Sequence, residues 1–85
     1  MDKANPYLKA ALMEAVNNQI RDNDPPETRE TFKRLISQGI SEHDARAYIG
    51  QAVCVEIWDI MRNEVAFNRE RFIRNLKNLP EEPTE

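Results

Sequence analysis

An all-α fold of about four helices, packed mainly antiparallel, is what this sequence predicts, and three observations carry it. Apolar residues recur at three- and four-residue spacing through four separate stretches. Each stretch is bounded by residues that start or stop helices: Asn5-Pro6, Asp24-Pro25, Gly39, Ser41, Asn68 and Pro80. Two glycines and few β-branched residues in 85 leave little material for strands. A chain this short has room for one core and buries only about 60% of its unfolded surface. Residues 1–80 are read as a single helical domain, and residues 81–85 as a disordered acidic tail, Glu81-Glu82-Pro83-Thr84-Glu85.

Asn5 followed by Pro6 opens the first helix, a side-chain cap ahead of a proline whose missing N–H costs nothing there. Leu8, Leu12, Val16 and Ile20, with Ala11 and Ala15 beside them, form one stripe on a helix from about Pro6 to Arg21. Asp22-Asn23-Asp24-Pro25-Pro26 breaks the chain, and Asp24 is expected to cap a second helix from about Pro25 to Gln38. Phe32, Leu35 and Ile36 should point inward on it, while Arg29, Glu30, Lys33 and Arg34 face water. Gly39 ends it by accepting the left-handed conformation.

Ile40-Ser41-Glu42-His43-Asp44-Ala45 carries the strongest local signal: Ser41 caps, Asp44 stands at the capping-box position, and Ile40 can staple onto Ala45. The third helix, from about Glu42 to Arg62, is the longest and is expected to be central. Phe67-Asn68 then starts a fourth helix, as staple and cap. Phe72, Ile73, Leu76 and Leu79 give it an apolar face, and Pro80 stops it.

The third helix is apolar on two sides. Ala45, Tyr48, Ile49, Ala52, Val53 and Ile60 share one face; Ala47, Cys54, Ile57, Trp58 and Met61 share another, nearly opposite. A surface helix needs only one such stripe. Either three other helices wrap this one, or the second side is a contact surface, most simply a two-fold homodimer seam. Glu56 falls inside the first apolar side, with Asp59 nearby. A carboxylate placed there must be paired, ligated or reach solvent. Arg46, Arg71 and Lys9 are its candidate partners, and a metal or general-base role is the alternative.

Composition narrows the function classes. Twelve basic and fifteen acidic residues give a net charge of −3, so bulk electrostatics do not draw the chain to nucleic acid or anionic membrane. The last helix and its approach, with Arg62, Arg69, Arg71, Arg74 and Lys77 against Glu64 and Glu70, keep a local positive excess that leaves a nucleic-acid accessory role as an alternative. Cys54 is the only cysteine, which excludes an intrachain disulfide and places the protein in a reducing compartment, the cytoplasm. The N-terminus lacks the apolar segment of a signal peptide, and no apolar run approaches the roughly 20 residues that span a bilayer.

Catalysis has little to work with. Cys54 and the single histidine, His43, stand eleven positions apart on one helix and cannot meet. No phosphate loop or zinc spacing occurs. No catalytic residue, cofactor or metal ligand is assigned.

Asn23-Asp24-Pro25-Pro26-Glu27-Thr28, Phe32-Lys33-Arg34-Leu35 with Gly39, and Ser41-Glu42-His43-Asp44-Ala45 resemble a family of small bacterial proteins of unknown function. Val55-Glu56-Ile57-Trp58-Asp59-Ile60-Met61 and Phe67-Asn68-Arg69-Glu70-Arg71-Phe72 extend the likeness from about Leu8 to Pro80. The resemblance implies a helical fold and a bacterial source but no activity. Similar sequences carry paired histidines on the first helix and a His-Glu-x-x-His run on the third, where a metal could bind. Here those positions are Lys9 and Met13, and the third-helix run reads His43-Asp44-Ala45-Arg46-Ala47. A metal site of that kind is expected to be absent from this chain.

The reading that follows is a non-enzymatic interaction module, a homodimer or bound to another protein through Cys54, Ile57, Trp58 and Met61. A metal-dependent protein built around Glu56, Asp59 and His43 is the alternative from another class.

Overall fold

A computed structural model describes residues 6–84 of the chain. Four helices make up the fold: α1 (Pro6–Asp22), α2 (Pro26–Ser37), α3 (Glu42–Asn63) and α4 (Arg69–Asn78). No strand occurs among the described residues. The expected Asn5 cap and the side chain of Leu8 lie outside what is described.

Local chemistry accounts for most of the helix ends. Ser41 Oγ accepts the Asp44 N–H at 3.1 Å, and Asn68 Oδ1 accepts the Arg71 N–H at 3.0 Å, so both expected caps start their helices. Gly39, at φ +91°, makes the turn between α2 and α3. Asp24 does not cap α2. Pro25 takes the N-cap position in extended backbone, its carbonyl accepting from Thr28 N–H, and no side chain caps the helix. At the far end of α3, Glu64 closes the helix in the left-handed region at φ 53°, its N–H bonded to the Ile60 carbonyl.

The core is built from Val16 of α1, Leu35 of α2, Ala45, Ile49, Ala52 and Val53 of α3, and Phe72, Leu76 and Leu79 at α4. Leu12, Ile20, Phe32, Tyr48 and Ile57 pack against it from its margin. α3 is the longest helix at 22 residues and packs against the other three. α2 does the same, whereas α1 and α4 do not touch among the described residues. Gly50 faces α1, where an added Cβ would stand 4.0 Å from Val16 Cγ2.

The inner face of α2 differs from the expected one. Leu35 is buried and Phe32 half-buried, but Ile36 is exposed, and Thr28 and Thr31 are buried in its stead. Thr28 belongs there because its hydroxyl donates to Gln19 Oε1 at 2.8 Å, which removes the penalty of a buried polar group. Arg29 and Arg34 also leave the solvent face. No helix among the described residues is long and apolar enough to cross a membrane.

Candidate functional site: a buried ion pair beside an open apolar face

Glu56 is fully buried, and its carboxylate receives three hydrogen bonds from one short stretch of chain. Arg71 Nε donates to Oε2 at 2.6 Å; Arg71 Nη2 donates to Oε1 at 2.9 Å; the Asn68 backbone N–H donates to Oε1, also at 2.9 Å. Among the three partners open in the sequence, the fold places Arg71 against it. Arg46 is engaged elsewhere, with its Nε on Asn17 Oδ1 at 2.8 Å and its guanidinium 4.8 Å from the Phe32 ring. Arg71 Nη2 also donates to Asp59 Oδ2 at 2.8 Å, and Asn63 Nδ2 donates to Asp59 Oδ1 at 2.6 Å. The Arg71 hydrogen bond, aided by that from Asn63, holds the Asp59 carboxyl below the usual carboxylate range. The hydrogen bonds to Glu56 and then to Asp59 raise the guanidinium above its ordinary value, so Arg71 stays a cation throughout.

This arrangement joins α3 to the N-terminus of α4. Asn68 receives its own helix's first turn through its side chain while its backbone is held by Glu56. Both oxygens of Glu56 accept from chain donors, which satisfies a carboxylate held out of solvent. His43 is exposed, and stands thirteen residues before Glu56 on α3, about 20 Å along the axis at 1.5 Å per residue. The two cannot share an ion within one chain. No cluster of three histidine, cysteine or acidic side chains suited to a metal forms among the described residues.

The second apolar side of α3 lies open. Trp58 is 54% exposed and Met61 71%, Cys54 is exposed, and only Ile57 of the four expected contact residues is half-buried against the core. Ile60, on the other side of α3, and Val65 and Phe67 in the loop before α4 are partly exposed as well. The Arg62 guanidinium lies 5.6 Å from the Trp58 ring centre, a cation–π contact on that surface. A groove of about 360 Å³ runs beside it, between Gln51, Cys54, Val55 and Trp58 on α3 and Glu82 and Pro83 past α4.

Three of the five cations near α4 have partners in the fold. Arg71 serves Glu56 and Asp59, Arg69 Nη2 stands 3.6 Å from Glu27 Oε1, and Arg62 lies over Trp58.

Two arginines expected in water hold helix ends instead. Arg29 donates to the carbonyls of Ile20 and Arg21, both at 2.9 Å, at the C-terminus of α1. Arg34 donates to the carbonyls of Leu79 at 2.9 Å and Leu76 at 3.0 Å, at the C-terminus of α4. Each satisfies orphan carbonyls with positive charge at the negative end of a helix. Sequence reasoning also passed over Asn75, which is 1% exposed on the inner face of α4. A polar residue between Phe72 and Leu76 is the signal that drew attention to Glu56, and it was readable here too.

The chain is thus a small all-α domain with two distinctive features, an open face on α3 and a buried ion pair that joins α3 to α4. It belongs to the domain of unknown function DUF1841, whose sequence model matches residues 1–78. No curated protein and no solved structure matches it.

Proposed function

We propose that this chain is a non-enzymatic protein-interaction module of the cytoplasm that works through the C-terminal half of α3. The observation that carries this reading is the exposure of Trp58 and Met61, 54% and 71%, on a helix whose opposite side already fills the core. Tryptophan is enriched where contacts contribute most to binding, and methionine in contact cores generally. A second copy of the chain is the simplest occupant, because a two-fold seam needs only one self-complementary patch. A domain this small also gains from sharing a core. Another protein on the same face is the second form of the reading. The metal-dependent alternative is weakened by the separation of His43 from Glu56, and the nucleic-acid alternative by the partners already held by Arg69 and Arg71.

Light scattering coupled to size exclusion, over a range of concentrations, tests it. A dimer is expected, and Trp58→Ala should raise its Kd by at least about tenfold, the effect of losing a contact centre, with little change in the fold by circular dichroism. A mass that stays monomeric at every concentration overturns the homodimer. A dimer that tolerates Trp58→Ala unchanged overturns the surface.

A further inference from the structure

The residues past α4 are not simply trailing chain. Asn75, 1% exposed, directs both ends of its carboxamide at one residue: Nδ2 donates to the Thr84 carbonyl at 2.9 Å, and Oδ1 accepts the Thr84 N–H at 3.2 Å. That pairing reads backbone and not side chain, as a neighbouring β-strand would. Pro83 is half-buried, and with Glu82 it forms one wall of the groove whose other wall holds Cys54 and Trp58. A buried amide with both its donor and its acceptor committed to the backbone of one residue, beside a groove that the same segment walls, has the parts of a seat for a peptide segment.

We infer that Asn75 is a seat for a proline-containing segment that walls the α3 groove, and that the resident occupant is the chain's own Glu82-Pro83-Thr84. The seat stands on its own geometry; its consequence for association rests on the docking reading above. Because Trp58 belongs to both groove and open face, the seated segment competes with whatever docks there.

Trp58 is the only tryptophan, so its quenching by acrylamide reports the seat directly. Thr84→Pro in the full chain removes the N–H that Asn75 accepts while leaving every helix untouched. Losing that hydrogen bond should lower the seated-to-free ratio about fivefold. Trp58 quenching should then rise in the variant with helix content unchanged. A synthetic peptide of residues 80–84, added to the Thr84→Pro chain, should restore the shielding saturably. The same peptide should act weakly on the native chain, whose tethered segment has a millimolar-scale advantage. Equal quenching in native and variant chains overturns the seat, as does a peptide titration that never saturates in the variant. The mass of the same samples separates the two ideas. Raised quenching with tighter association supports both, whereas raised quenching in a chain that stays monomeric keeps the seat and removes the homodimer.

Discussion

Arg71 meets Glu56 side-on, with Nε and Nη2 each bonded to a different carboxylate oxygen at 2.6 and 2.9 Å, in a place where Glu56 has no solvent contact at all. Removing one partner of such a pair strands the other, which costs roughly 3–5 kcal/mol, whereas replacing both with apolar residues of similar size is often neutral. Glu56→Ala should therefore bring the fold close to its limit, and the double change Glu56→Leu with Arg71→Met should be less damaging than Glu56→Ala alone. Urea titrations of the two variants check the order. A double variant as unstable as the single one would mean that the hydrogen bond to Asn68, and not the charge pairing, is what α4 depends on.

Asp59 gives this network an acid limb. Its folded carboxyl titrates below the unfolded one, chiefly through the Arg71 hydrogen bond. Its contribution is thus fully present above the unfolded value near 4 and is lost as pH falls through the lower folded one. Asp59→Asn should be less stable than the native chain at neutral pH, and should lose less on acidification below about pH 4. Thermal melts at several pH values would show it. Parallel acid limbs in the two proteins would remove Asp59 as a source.

Arg34 should be irreplaceable by lysine. Its planar fork spans the carbonyls of Leu76 and Leu79, and an ammonium cannot reach both in the same geometry. Arg34→Met should cost about 1–2 kcal/mol, the scale of a charged hydrogen bond at a partly exposed site. Arg34→Lys should recover under half of it. Full recovery in urea melts would reduce the residue to a point charge near a helix end.

Glu64 is a place where the chain can be improved. A residue with a Cβ in the left-handed region carries a strain of roughly 1–2 kcal/mol, part of which glycine gives back in unfolded entropy. Glu64→Gly should raise the melting temperature by about 2–5 °C. An unchanged or lower Tm would show that the Glu64 side chain itself holds the turn.

The helices were legible because their ends are written locally. Ser41 and Asn68 sit directly before the runs they cap, and Gly39 just past the C-cap Gln38 of the helix it closes. The conflict at Glu56 was legible as well, since a carboxylate in an apolar stripe demands a partner wherever the stripe goes. Which partner was not: Arg71 is fifteen residues on, across a loop whose path only the packed fold sets. Arg34 shows the same limit more sharply, for its target carbonyls lie forty-two and forty-five residues away. The tether of Thr84 to Asn75 was missed for another reason: the tail looked polar and loose, and the buried amide that receives it belongs to a different element.

Because α1 and α4 do not touch among the described residues, the helices divide into two overlapping triangles, α1-α2-α3 and α2-α3-α4, that share one edge. An outer helix can then lift away without opening the triangle opposite, while damage to the shared α2–α3 edge opens both at once. Cooperativity in this domain is accordingly uneven. The hairpin around Gly39 is its keel, and the flanks are the parts that can yield first, with α4 and the segment seated on it forming one of them.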